Sequence, residues 1–189
     1  MDPSDDTLVQ RIRDEGDMRA AEALLMRYQN EVFGFLMTML KKSHDAEDVL
    51  QETFTRALKG LGTYRESGQF RAWLYRIARN EAISLVRKRR RFVSMEPTIE
   101  SHSSRNEEPD EGTPRPDARL LAEESQRGFQ KALEMLPPEE REVATMRLHG
   151  ELSFKEIAAI VGCPLNTALG RMHNAKKRLR ELLREDVVK

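Results

Sequence analysis

Between Phe70 and Arg91, the residues Trp73, Arg76, Asn80, Ser84, Arg87 and Arg91 recur at steps of three and four. At 100° per residue these positions fall along one narrow helical stripe. A line of one indole, one amide, one hydroxyl and three guanidiniums suits unstacked bases lying beside a phosphate backbone. The run Arg87, Lys88, Arg89, Arg90, Arg91 adds positive charge at the far end. Just before the stripe, Tyr64-Arg65-Glu66-Ser67-Gly68-Gln69 reads as a polar loop carrying one aromatic ring. A loop of that kind beside a rigid helix can receive a base rotated out of its stack. On residue types alone, Trp73 also fits a packed core position, and residues 87–91 also fit a solvated basic tail.

A second constellation lies near the C-terminal end. Ser153 with Glu156 three residues on is a capping box, and it opens a short helix that ends at Gly162. Cys163-Pro164 then starts a long helix. Two helices joined by so tight a turn have the spacing of a helix-turn-helix, whose second helix enters a major groove. On the second helix, Leu165, Ala168, Met172, Ala175 and Leu179 fall on the core side. Asn166, Gly170, His173, Asn174 and Lys177 face the other way, with Arg171 and Arg178 on a flank. Amide and basic side chains can address base edges and phosphates.

Other chemistries lack their residues. His44, His102, His149 and His173 share no metal-ligand spacing with Cys163, the one cysteine. Neither a glycine-rich phosphate loop nor a nucleophile motif occurs. We therefore expect no catalytic residues, no metal, no cofactor and no enzymatic activity. A single cysteine fits a reducing, cytoplasmic setting. The acidic start MDPSDD has no apolar core of a secretory signal, and no apolar run is long enough to span a bilayer, so no membrane insertion is expected.

The elements that must position these residues are helices. Apolar residues recur at helical spacing over Asp17–Leu40, Asp45–Leu61, Phe70–Arg91 and Asp117–Met135, while alternation at period two is nearly absent. Pro137-Pro138 breaks the chain and opens the next helix, which Gly150 closes. The fold class expected is all-α: two small helical domains, residues 1–93 and 118–189, joined by a flexible acidic linker over 94–117. That segment holds four of the eight prolines and only two large apolar residues, Met95 and Ile99. Too little apolar surface is available there to offset the entropy of ordering it. The net charge is zero, from 32 Lys+Arg against 32 Asp+Glu, which on its face speaks against a nucleic-acid partner. Charge is unevenly placed, however. Residues 1–95 carry 17 basic and 14 acidic residues, 96–124 carry 3 and 9, and 125–189 carry 12 and 9. Two mildly basic blocks are masked by an acidic middle, so overall neutrality does not exclude a nucleic-acid partner.

The strings DAEDVLQETFTRAL (45–58) and FRAWLYRIARNEA (70–82) followed by RKRRR resemble region 2 of bacterial extracytoplasmic-function (ECF) sigma factors of the sigma-70 family. LPPEEREVATMRLHGELSFKEIAAIVGCPLNTALGRMHNAKKRLRELL (136–183) resembles region 4 of the same family. The resemblance covers nearly the whole chain in the right order, with no C-terminal sensing domain expected after the last helix. It implies an alternative RNA polymerase sigma factor that binds core polymerase and directs promoter-specific initiation. By resemblance, the 45–61 helix would dock on the clamp helices of the largest polymerase subunit through Asp48, Gln51, Glu52 and Arg56, and region 4 would meet the flap of the second. Minus-10 DNA would be held by Tyr64, Arg65, Ser67, Phe70, Trp73, Arg76, Asn80, Ser84, Arg87 and Arg91. Minus-35 DNA would be read by Asn166, Thr167, Gly170, Arg171, His173, Asn174 and Lys177. The acidic linker would follow the RNA path, and an anti-sigma factor would be a further partner. One departure stands out: Leu169 and Gly170 occupy positions where the family usually carries Lys or Arg and then Ser. The resulting expectation is an unusual minus-35 preference or a weaker dependence on that element. Two rival readings of the same residues are a helix-turn-helix regulator with an N-terminal dimerisation or signal-binding domain, and an adaptor acting through protein contacts alone.

Overall fold

The computed structural model describes residues 2–65, 68–95 and 118–187, with side chains described through Arg91 and again from Arg127 to Arg184. The linker expected over 94–117 therefore lies almost wholly outside the described residues. Among the described residues the chain is all-α, with one 3-10 turn at Leu61–Thr63. In chain order the helices are α1 (Asp5–Glu15), α2 (Met18–Leu40), α3 (Ser43–Gly60), α4 (Phe70–Met95), α5 (Ala118–Met135), α6 (Pro138–Leu148), α7 (Phe154–Val161) and α8 (Leu165–Val187).

Local chemistry accounts for the boundaries. The acidic start is the opening of a helix that periodicity did not reveal. The Ser4 hydroxyl accepts the Thr7 N–H at 3.2 Å, and Asp5 and Asp6 occupy the first turn of α1, where the helix dipole favours them. Gly16 ends α1 with φ 63°, a left-handed conformation that suits glycine. Asp17 then caps α2 by accepting the Arg19 and Ala20 N–H groups at 2.9 and 3.1 Å, and Arg11 steadies its carboxylate at 2.6 Å. Those contacts hold the Asp17 carboxyl below the usual carboxylate range, chiefly through the Ala20 backbone bond. Both halves of the capping box at Ser153 and Glu156 form on α7, and Gly162 closes that helix with φ 76°.

Helices α1 to α4 enclose Leu24, Val32, Phe35, Leu36, Leu74 and Tyr75, all fully buried. Helices α5 to α8 enclose Leu133, Leu136, Val143, Met146, Ile157 and Ala175. These two bundles are packed against each other, and their buried residues form one continuous cluster. The seam is close: a Cβ on Gly150 would lie 2.8 Å from Tyr75 Cζ, and one on Gly34 would lie 2.9 Å from His149 Nδ1. Polar bonds tie it as well. Arg79 Nε meets Glu142 Oε1 at 2.5 Å, with both side chains largely buried. Arg71 donates to the Gly150 carbonyl at 3.3 Å and to Glu151 at 3.2 Å, and Gln130 donates to the Thr38 hydroxyl at 3.0 Å.

Candidate nucleic-acid interface

The α4 stripe is built as its spacing predicts. Arg76, Asn80, Ser84, Arg87 and Arg91 are exposed, while Leu74, Ala78 and Ala82 pack inward. Asn80, Ser84, Arg87 and Arg91 line a cleft of about 730 Å³ together with Arg79, Ile83 and Lys88. Among the described lining residues Arg79 is paired with Glu142, and Arg87, Lys88 and Arg91 place basic side chains along this face of α4. Not all of the basic run serves it. Arg89 turns back and makes a two-pronged ion pair with Asp45 of α3, a contact that fixes α4 against α3.

The loop before α4 departs from expectation. Tyr64 and Phe70 are buried, at 5% and 1% exposure, so neither ring is presented to nucleic acid. Their rings pack with Trp73 and Tyr28 at centroid separations of 5.4 to 5.6 Å. Burying these rings against α1 and α2 removes more apolar surface from water than leaving them on a loop would. Trp73 itself is half-buried and lies over Gly60, so packing takes much of its surface. Arg65 is exposed, while Ser67 lies outside the described residues. What anchors the loop is a residue that motif reasoning missed. Asp6 of α1 accepts the Tyr64 hydroxyl at 2.8 Å and the Gly68 N–H at 2.9 Å, one on each side of residues 65–67. Ser4-Asp5-Asp6 was the available signal, since a cap residue followed by two acids is a helix start.

On α3, Asp48, Gln51, Glu52 and Arg56 lie on one exposed face. Arg56 also pairs with Glu52 at 2.5 Å and with Glu81 of α4 at 2.7 Å.

Helices α7 and α8 form the helix-turn-helix. Asn166, Thr167, Gly170, His173, Asn174 and Lys177 are exposed, and Ala168, Met172, Ala175 and Leu179 are buried. Two placements differ from expectation. Leu165, expected in the core, is 46% exposed, because the core side of α8 is centred on Ala168, Ala175 and Leu179 and leaves the helix start at its edge. Arg171 is bonded to Glu139 of α6, and Arg178 lies 3.0 Å from Glu140. That flank is thus neutralised within the protein rather than held open to phosphates. Cys163, in the turn, is a half-buried free thiol.

Among the described residues, no group of His, Cys, Asp and Glu could hold a metal ion, and no helix is long and apolar enough to cross a membrane. The chain matches the model of Sigma-70 region 2 over residues 24–92 and that of Sigma-70 region 4 over residues 126–179. It is 34% identical to the ECF RNA polymerase sigma-E factor of Salmonella typhimurium, covering 93% of this chain and 92% of that one. This chain belongs to the ECF sigma factors of the sigma-70 family. It is also 32% identical to the RNA polymerase sigma-H factor of Pseudomonas aeruginosa, over 96% of each chain. Among solved structures it resembles the sigma factor RpoE of Bartonella quintana, crystallised with the anti-sigma factor NepR, with TM-score 0.67, 27% identity and coverage of 86% of this chain and 96% of that one. CnrH, in complex with the cytosolic domain of CnrY, matches with TM-score 0.66 and 25% identity over 97% of this chain and 99% of that one. The protein is accordingly an alternative RNA polymerase sigma factor. Its region 2 match begins inside α2, so α1, which supplies Asp6 to the loop, lies outside the family model.

Proposed function

We propose that this sigma factor binds core RNA polymerase and divides promoter recognition between its two bundles. The first, residues 1–93, docks on the clamp helices of the largest subunit through Asp48, Gln51, Glu52 and Arg56. It holds the opened minus-10 strand along Arg76, Asn80, Ser84, Arg87 and Arg91. Tyr64, Phe70 and much of Trp73 serve as the packed floor that positions the loop. The second, residues 118–189, meets the flap of the second subunit and lays α8 in the major groove of the minus-35 element through Asn166, Thr167, His173, Asn174 and Lys177. Residues 94–117 connect the two along the RNA path. The protein works in the cytoplasm, performs no catalysis of its own, and is held in check by an anti-sigma factor, the kind of partner present in the structures it resembles.

One observation carries this reading. A single chain presents two separate polar helix faces, on α4 and on α8, each carrying exposed basic side chains. A simple regulator needs only the second. The test is transcription by core polymerase plus this chain on a pool of promoter sequences. Enrichment of two spaced elements with promoter-specific transcripts is the expected result. Transcription no different from core alone on every enriched sequence would overturn the reading.

A further inference from the structure

On the major-groove side of α8, two features belong to this chain's own sequence. Leu165 and Leu169 are exposed at 46% and 41%. They stand one helical turn apart, so their side chains adjoin on the surface, with Cβ atoms roughly 5–6 Å apart. They lie between the buried row of Ala168, Met172 and Ala175 and the exposed polar row of Asn166, His173 and Lys177. The opposite border of α8 is the one closed by the Arg171–Glu139 and Arg178–Glu140 pairs. The open border of the recognition helix therefore carries two exposed leucines, with the exposed Lys176 and Arg180 beside them, while Arg171 and Arg178 on the other border are paired with glutamates.

Gly170 is the second feature. It sits inside a helix, where glycine costs roughly 1 kcal/mol relative to alanine. Its backbone is not left-handed, and a Cβ built on it meets no atom within 4 Å. Neither backbone conformation nor packing within the protein calls for a glycine there. A missing side chain on an outward face allows another surface to come close to the helix backbone.

The major groove offers one apolar feature, the thymine C5 methyl group, and apolar side chains recognise it by contact. We propose that Leu165 and Leu169 form a ridge that reads thymine methyl groups in the minus-35 element, and that Gly170 lets α8 seat deeply enough for the ridge to reach them. Asn166, one position round the helix from Leu165, bears an amide of the kind that bonds adenine N6 and N7. Ridge and amide together select A·T pairs, with the methyl and the adenine edge read side by side. This inference rests on α8 being the minus-35 reader.

The experiment uses full-length protein with core polymerase. Each thymine of the selected minus-35 element is replaced in turn by deoxyuridine, which removes the methyl and leaves pairing unchanged. At one or two positions promoter affinity should fall about fourfold, the value of one buried methyl group. Leu165→Ala combined with Leu169→Ala should bind thymine and deoxyuridine templates alike. Gly170→Ala should raise the thermal stability of the free protein while lowering promoter affinity about tenfold. Deoxyuridine without effect at every position would overturn the inference while the assignment of α8 stands. So would Gly170→Ala that binds as tightly as the parent. A holoenzyme indifferent to the whole minus-35 element would remove both the inference and that assignment.

Discussion

Asp6 holds the 64–69 loop from outside it, through Tyr64 Oη and Gly68 N. Hydrogen bonds to a charged acceptor contribute roughly 1.5–3 kcal/mol each in favourable settings. Asp6→Ala should therefore lower unfolding free energy by about 2 kcal/mol in a urea titration, less than the sum because water reaches this site. It should also reduce transcription from duplex promoters more than from templates already unpaired at minus-10. Equal loss on both templates would show that Asp6 supports the fold and not the loop's task. Tyr64→Phe, which removes only one of the two bonds, should show a smaller effect of the same kind. The positions of Asn80, Ser84 and Arg87 were legible because a helix converts spacing directly into a face. Tyr64 and Phe70 were misplaced for the opposite reason. Whether an aromatic ring beside a helix start turns in or out is decided by what packs over it, here Asp6 of α1 against Tyr64 and Tyr28 of α2 against Phe70, 58 and 42 residues away in sequence.

At the scale of elements, α7 has eight residues and depends on its cap. Ser153→Ala removes the hydroxyl that accepts the Glu156 N–H and donates to the Glu156 carboxylate, leaves the backbone half of the box in place, and should cost about 1 kcal/mol. Thermal unfolding followed by circular dichroism checks this, with Ser153→Asp expected to retain most of the stability. Gly150 is held for a different reason. A methyl group there would come within 2.8 Å of both the Met146 carbonyl and Tyr75. Gly150→Ala should destabilise by roughly 1–3 kcal/mol as an overpacked site, again measured by urea unfolding. The seven helices with clear periodicity or caps were legible to within a few residues. Only α1 was not, because eleven residues with two buried apolar side chains carry little periodic signal. What no periodicity encodes is which helix meets which. Arg79 and Glu142 are 63 positions apart, and each alone looks like an ordinary surface charge.

For the whole molecule, the seam between bundles is the feature that responds to conditions. Glu142→Ala leaves Arg79 half-buried without its carboxylate, and removing one partner of a buried pair is costly. The expected outcome is a larger radius of gyration in small-angle scattering with helix content unchanged. Acid should act on the same seam. Burial holds the His149 imidazole below its ordinary pKa, so the neutral ring is the form the packed state prefers. The opened or unfolded state then binds more protons, and stability supplied by this group is full above about pH 6.5 and lost as pH falls through the lowered value. Glu31, raised by burial, works in the other direction, its contribution being lost as pH rises above its ordinary 4.5. Comparing His149→Gln with the parent isolates the histidine: between about pH 7.5 and pH 5 the parent's melting temperature should fall more steeply than the variant's. The seam has a further consequence that follows from connectivity. Only 22 residues separate Met95 from Ala118, so the bundles never dilute away from each other. Tethers of such length give local concentrations on the order of millimolar. An intrinsic dissociation constant near 1 mM, about 4 kcal/mol, is then enough to keep half the molecules closed. A contact that would be invisible between separate proteins becomes a standing equilibrium within one chain, and a binding partner needs only a few kilocalories of preference to set it either way.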